Sequence, residues 1–469
     1  MMQIQGVLLW TDALLFGLVV CTALAAWRAR RSEPVAAAWR RVGGSGLGMA
    51  ALCVLLIFLL IGLLDSLHYR QVLTPASPGQ PVQLSTEVRS ALDWTLEPLR
   101  AHTEKTYSAP LAIRLFAKET LEGADGVQRR EFPRLRYGGA HLRYPDEDHT
   151  GDMLGRVGLG LAMGGACWAV LAGMLSLGVA RARRVPLGAA WRAIWRARGG
   201  LNWRAVLLVL GGVCAVGGPL AVLATGYHVF GTDKVGQDVL YLSLKSIRTA
   251  LVIGTLTTLV TLPLAVALGV MAGYLGGWVD DVIQYLYTVL NSIPGVLLIA
   301  ASVLMIQVLI DTHPDWFATA AERSDARLLA LCVIMGMSSW TSLCRLLRGE
   351  TLKLRELEYV QAARAFGVST HRILVRHVLP NLMHLVLIAL VMDFSGLVLA
   401  EAVLSYVGIG VDPSTVSFGS MINAARMELS REPMVWWSLG AAFSLMLLLV
   451  LSANLFSDVV RDAFDPRQS

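Results

Sequence analysis

Charge is scarce in this chain. Only 16% of its 469 residues are charged, against about 25% in ordinary soluble domains. Lysine is nearly missing, with 5 among the 40 cations. The shortfall is filled by apolar residues, 55% of the total, giving a mean hydropathy of +0.58. One aqueous core cannot absorb that excess, which excludes a disordered chain, a fibrous protein and an ordinary cytosolic enzyme. The six cysteines all lie inside apolar runs and form no C-x-x-C pair, so neither a disulfide framework nor a zinc site is expected. None of the nine histidines falls in an H-E-x-x-H pattern, and a fixed metal site is not expected. The chain has no G-x-x-x-x-G-K-[ST] and no Gly-Lys dipeptide. It therefore lacks the phosphate cradle of a nucleotide hydrolase; an enzymatic role is not expected, nor is nucleic acid as a partner. What remains is an all-α polytopic membrane protein.

Crossing about 30 Å of hydrocarbon takes about 20 mostly apolar residues in a helix. Nine stretches meet this: Gly6 to Trp27, Leu47 to Leu64, Leu154 to Ala180, Ala205 to Gly226, Thr249 to Tyr274, Val282 to Ile310, Leu328 to Leu347, Leu382 to Ile409 and Met434 to Asp458. The first lacks a basic leader and reads as a retained span rather than a signal peptide. The loops 28–46, 181–204 and 345–380 carry 5, 7 and 7 cations, and the tail 458–469 adds 2. The loops 227–247, 310–327 and 408–435 carry 2 each. By the positive-inside rule the N-terminus is expected outside and the C-terminus in the cytoplasm.

Two regions outside the spans stand out. Ser66 to Met153 is a polar segment of 88 residues with 11 cations and 12 acids, long enough for a small folded unit on the outer side. Its Pro75, Pro78 and Pro81 mark an extended entry. Arg181 to Arg204 holds seven arginines and no acid, with Trp191, Ile194 and Trp195 among them. That pattern fits a basic amphipathic helix on an anionic leaflet, or equally a plain stop-transfer loop.

The most informative stretch is ELEYVQAARAFGVSTHRILVRHVLPN, residues 356–381. Glu358 opens a short helix on which Tyr359, Ala362, Ala363 and Phe366 recur at helical spacing and share a face. Gly367 supplies a left-handed C′ position, and Ser369 or Thr370 can cap a second helix running through Ile373 and Val375. Leu379 and Pro380 then open the next span, where the missing proline donor costs little. A helix–Gly turn–helix with aromatic flanks has the chemistry of a helix-in-groove docking surface.

This segment resembles the EAA loop of ABC importer permeases, E-A-A-x3-G-x9-I-x-L-P. The match runs through Ala362, Ala363, Gly367, Leu379 and Pro380, with Gln361 at the Glu position and His377 at the Ile position. FGTDKVGQDVL (230–240), AGYLGGWVDDVIQ (272–284), NSIPGVLL with Pro294, LAEAVLSYVGIGVDP (399–413), SFGSMI (417–422) and VRDAFDPR (460–467) resemble further family segments in the family's order. The resemblance is to the dipeptide, oligopeptide and nickel branch. It implies a six-helix core and a subunit that works with a second permease, two cytoplasmic ATPases and a periplasmic solute-binding protein in the inner membrane. ATP and Mg would then be bound by the ATPases, and no cofactor by this chain.

Nine spans exceed six, so the expected layout is two N-terminal helices (1–65), a periplasmic domain (66–153), an extra helix with a basic linker (154–203) and the permease core (204–469). Within the spans, Asp393 and Glu401 are ionisable and therefore candidates for a translocation pathway. They sit about 80° apart on one helix. A hydrogen bond to a neighbour is the competing reading, and the favoured one for Glu401. Asn291 and Pro294 can break a helix beside such a pathway. Asp12 reads as an interfacial residue. Asp233 and Asp238 can cap the stretch leading into the next span or touch a docking binding protein. A membrane-anchored sensor built on 66–153 is the competing class.

Overall fold

The computed structural model describes residues 4–29, 33–73, 83–122, 128–196 and 200–464. Pro75, Pro78, Pro81, Arg198 and the last residues of the VRDAFDPR stretch lie outside them. In chain order the elements are β1 (Ile4–Val7), α1 (Trp10–Ala29), α2 (Glu33–Gly44), α3 (Gly46–Asp65), β2 (His68–Leu73), β3 (Gln83–Ser90), α4 (Ala91–Thr95), α5 (Glu97–Ala101), β4 (Glu119–Glu122) and β5 (Gln128–Glu131). Then come α6 (Pro145–Arg183), α7 (Leu187–Trp195), α8 (Trp203–Leu223), α9 (Val239–Leu275), α10 (Gly277–Ser292), α11 (Gly295–Thr312), α12 (Ala320–Arg355), α13 (Glu358–Ala365), α14 (Thr370–Ile373), α15 (Leu379–Val407), α16 (Phe418–Glu428) and α17 (Trp437–Phe464).

Among the described residues eight helices are long and apolar enough to span a membrane, and Trp10–Leu24 is a shorter apolar helix. Three of the nine expected stretches change. Gly6 and Val7 are not helical: they pair antiparallel with Tyr69 and His68 in the sheet β1-β2-β3. The stretch 282–310 is two helices. Ile293 is extended (φ −93°, ψ 131°) and Pro294, which has no N–H to continue a helix, occupies the cap of α11. The span expected from Leu154 begins earlier, at Pro145, and Asp146, Glu147 and Asp148 lie at its electropositive first turn.

Two compact units emerge, and they divide the chain differently from the expected layout. The first comprises Met1–Val7, Ala36–Arg248 and Val416–Val459; the second comprises Leu8–Val35, Thr249–Thr415 and Val460–Ser469. The expected core from 204 onward is thus shared between them.

In the first unit, α6 and α8 pack as a tight hairpin. A Cβ on Gly164 would lie 2.2 Å from the Cys214 carbonyl, and one on Gly160 2.5 Å from Pro219; small residues four apart permit this approach. Trp168 Nε1 donates to the Leu207 carbonyl at 2.9 Å. The region 66–153 holds strands β2 and β3, which β1 from the N-terminus completes into the three-stranded sheet, together with the hairpin β4–β5 and two short helices. Ser90 and Asp93 form a capping box at the start of α4, and Asp93 also accepts from Tyr241 Oη (2.7 Å) and Lys245 Nζ (2.8 Å) of α9.

In the second unit, α9 and α12 approach through Gly269 and Gly273, a G-x-x-x-G pair. Added Cβ atoms would lie 2.8 Å from the Cys344 carbonyl and 2.6 Å from Thr351 Cβ. Thr11 N–H, at the start of α1, donates to Asp325 of α12 at 3.1 Å. Asp12 beside it is wholly buried within the unit.

Candidate functional site

Residues 356–381 fold as the expected helix–turn–helix. α13 closes with a complete Schellman motif: Gly367 N–H donates to Arg364 O at 3.0 Å and Val368 N–H to Ala363 O at 3.1 Å. The motif demands a left-handed residue at C′, and Gly367 has φ +75°. Ser369 occupies the N-cap of α14 but makes no side-chain cap bond there. The chain then widens into a π turn at Leu374–Val378 and runs without a break into α15. Pro380 lies in the first turn of α15; it cannot donate to the carbonyl four residues back, and the wide turn directly precedes it.

The hairpin has two faces, divided differently from the sequence expectation. Val360, Ile373 and Val378 are buried, at 1%, 1% and 0% exposure. They join an apolar cluster with Tyr274, Leu347 and Leu382, against which Ala363 and Val368 also pack. Ala363 thus leaves the face assigned to it, and Ile373 is an internal anchor rather than a contact residue. The outward face keeps Tyr359 and Phe366, exposed at 45% and 87%, together with exposed Glu358, Ala362 and Pro380. His377 and Leu379 are partly covered. Asn381 Nδ2 donates to Tyr359 Oη at 3.0 Å and to His377 O at 2.7 Å, stitching the first helix to the membrane helix. Gln361 Nε2, at the family's Glu position, donates to Glu356 Oε2 at 3.2 Å.

Beneath the hairpin opens a cleft of about 570 Å³ lined by Tyr274, Arg355, Gln361, Arg364 and Thr370 among others. Its neighbour is the YLGG turn, where Gly276 and Gly277 both have positive φ, +66° and +55°. Just beyond it Asp280 accepts two hydrogen bonds from Arg348, at 2.5 and 2.6 Å. That guanidinium holds the Asp280 carboxyl below its ordinary range.

The intramembrane candidates part company. Glu401 is buried at 1% and accepts from Ser405 Oγ, one turn on, at 2.6 Å, which fits the structural reading. Asp393 is half-buried, with no hydrogen bond or ion pair recorded for it among the described residues. Asn291 Oδ1 accepts from Thr341 Oγ1 at 3.0 Å, next to the break at Ile293 and Pro294. These positions do not converge on one cluster with the hairpin.

Asp233 and Asp238 also separate. Asp238 is wholly buried; its Oδ1 accepts from Leu240 N–H at 2.8 Å, capping α9, and its Oδ2 lies 2.8 Å from His228 Nδ1. Within the chain it offers no atom to a docking protein. Asp233, partly exposed, accepts from Val235 and Gln237 N–H at 2.9 and 2.8 Å and shapes the loop instead of the helix start. On its other side, His228 Nε2 lies 3.4 Å from Glu104 Oε1. Glu104 accepts backbone N–H groups of Arg136, Tyr137 and Gly138 at 2.9, 2.8 and 3.1 Å. Burial alone would neutralise these groups, but the mutual contacts win. His228 is raised to about 9: desolvation opposes its charge, but the hydrogen bond to Asp238 and the nearby Glu104 carboxylate outweigh it. Glu104 is lowered to about 2, by His228 and the three amides against desolvation. Neither Glu104 nor His228 carries a local sequence signal, since their partners are remote in the chain.

The model of the family described as "Binding-protein-dependent transport system inner membrane component" matches residues 265–469, a range that contains the hairpin, Asp393 and Glu401. The oligopeptide transport system permease protein OppC of Mycobacterium tuberculosis (strain ATCC 25618 / H37Rv) is 31% identical over 239 residues, 51% of this chain and 76% of the relative. The chain belongs to this family of inner-membrane transport components. It is an ABC importer permease and a multi-pass membrane protein. The permease is also similar to the dipeptide transport system permease protein DppC of Lactococcus lactis subsp. cremoris (strain MG1363), 30% identical over 52% of this chain and 64% of the relative. To the glutathione transport system permease protein GsiD of Pectobacterium atrosepticum it is 32% identical, over 51% of this chain and 73% of the relative. Among solved structures, an inward-facing methionine ABC transporter MetNI chain aligns over 48% of the permease and 97% of its own length, at 15% identity and a TM-score of 0.37. The family model begins beyond Glu104, His228 and the whole of region 66–153.

Proposed function

We propose that this permease imports peptides or related small solutes, and that residues 356–381 seat in a groove of a cytoplasmic ATPase. A pair of such ATPases would supply the energy, a second permease subunit would complete the pathway, and a periplasmic solute-binding protein would deliver the solute. Membrane lipid surrounds the spans, with the N-terminus outside and the C-terminus in the cytoplasm. The names of the relatives support the solute class. The observation that carries the coupling role is Phe366, a large aromatic 87% exposed at the tip of a helix whose opposite face is anchored by fully buried Val360. An exposed aromatic on a rigid support is the kind of anchor that fills a partner's pocket. The hairpin performs no chemistry: it has only to hold its shape while the ATPases close and open, so that their displacement reaches α12 and α15. Asp393 is the pathway residue on this reading, a carboxylate placed to meet a solute amine.

Gly367→Pro tests the coupling. Proline fixes φ near −65°, whereas this position needs +75° and its N–H closes the Schellman motif. The expected outcome is a permease that inserts and assembles with its second membrane subunit but loses ATP-driven uptake. Unchanged uptake by that variant would overturn the coupling role, and wild-type permease that never co-purifies with an ATPase would overturn the wider reading.

A further inference from the structure

The arginine-rich segment after α6 forms a fixed surface rather than a loose linker. α6 ends at Arg184, which is itself left-handed (φ +52°). A glycine would favour that conformation by about 1 kcal/mol, yet a cation stands there. Pro186 then caps α7, and Ala190 and Ile194 bury their side chains against the α6–α8 hairpin, at 0% and 3% exposure. The apolar face of α7 is therefore committed to protein and does not lie in lipid as an amphipathic surface helix would. Its other sides carry exposed Leu187, Trp191 and Arg192. Trp191 meets Trp195 edge-on at 5.7 Å, and Arg204 stands over Trp195 at 5.9 Å. Arg181, Arg183, Arg184 and Arg196 are exposed as well, and residues 181–204 contain no acid.

We propose that this surface is a binding site for anionic phospholipid headgroups. α7 is tethered between the ends of two membrane-crossing helices, Arg183 and Trp203, so its cations stand at headgroup depth. Guanidinium groups match phosphate oxygens in geometry as well as charge. Exposed Leu187 and Trp191 supply the apolar edge that acyl chains or glycerol backbones would cover, which a soluble anion or an acidic protein surface would leave unused. The site anchors the α7 end of the α6–α8 hairpin at one membrane surface, and it lies before the family-matched range, apart from residues 356–381.

Native mass spectrometry of the full chain, with short-chain phosphatidylglycerol and phosphatidylcholine as probes, tests this. The wild type should retain phosphatidylglycerol preferentially. Each arginine near a surface is worth about fivefold in attraction to anionic lipid, so Arg181→Gln with Arg183→Gln and Arg184→Gln should cut that preference on the order of 100-fold. The corresponding triple lysine variant should keep most of it. Equal retention of both lipids by the wild type, or an unchanged preference in the glutamine variant with normal gel-filtration behaviour, would overturn the proposal. So would displacement of the lipid by millimolar inorganic phosphate, which would indicate a soluble-anion site. Loss of ATPase co-purification in the glutamine variant without loss of lipid would assign the surface to an acidic protein partner instead.

Discussion

Residues 356–381 and 228–241 are both short interruptions next to apolar helices, and both carry family-like motifs, yet they are held in opposite ways. The first rests on apolar side chains: Val360, Ile373 and Val378 sink into the core, while the aromatic and polar side chains around them face outward. The second is locked by polar groups: the Asp238 and Glu104 carboxylates flank His228 and accept backbone N–H groups. Apolar anchoring leaves a segment's recognition chemistry free for another molecule. Polar anchoring consumes it within the chain. A motif's spacing alone cannot separate the two cases, because spacing fixes which residues share a face but not what that face meets.

The comparison breaks most visibly at Glu104. Glu104→Ala leaves a buried imidazolium short of a counter-charge and three amides without their acceptor, which should cost about 3–5 kcal/mol. A markedly lower unfolding midpoint of the purified permease would register it, and an unchanged midpoint would show that the cluster carries no stability. Next in size is Phe366→Ala. Removing an exposed side chain should leave the unfolding midpoint within the range of ordinary surface substitutions, about ±0.5 kcal/mol. ATPase affinity should nevertheless fall by about 30-fold, as for a buried interface anchor worth about 2 kcal/mol; equal affinities would remove Phe366 from the interface.

The pH dependence sharpens the contrast further. Folded His228 titrates near 9 against an ordinary 6.5, so the folded state holds the extra proton. Its stabilising contribution is complete below pH 6.5 and is lost as pH rises through 9. Glu104, lowered from 4.5 to about 2, contributes fully above pH 4.5 and loses its contribution as pH falls toward 2. The unfolding midpoint should therefore decline between pH 6.5 and 9, and His228→Gln should flatten that decline; parallel curves for the two proteins would count against the pairing. The smallest effect is expected from Asn381→Ala, which removes the bond to Tyr359. The cost is about 1 kcal/mol, read as faster hydrogen exchange in residues 358–365 without loss of the fold.

Much of this was legible in the sequence because it is local. The Gly367 turn, the paired glycines of the YLGG turn and the run of long apolar helices each follow from a few neighbouring residues. The hairpin's faces were only half legible: helical spacing grouped Ala363 with Tyr359 and Phe366, but packing against the apolar cluster drew Ala363 inward and made Val360 the anchor. Gly6 and Val7 continued an apolar run by composition, whereas pairing with His68 and Tyr69 made them a strand. The cluster of Glu104 with His228 was out of reach, because it joins residues more than a hundred positions apart. Asn381 stood inside a quoted motif, and its bond to Tyr359 depends on how the two helices meet.

The π turn at Leu374–Val378 settles a question of phase. Five residues of a straight α-helix turn through about 500°, so Ile373 and Val378 would point in directions about 140° apart. A wider turn takes up roughly one additional residue per revolution and brings the two side chains back toward a common direction, which is how both can be buried in a single cluster. Were that extra residue lost from the turn, Ile373 would swing toward water and the hairpin would come unmoored from the apolar cluster that holds it.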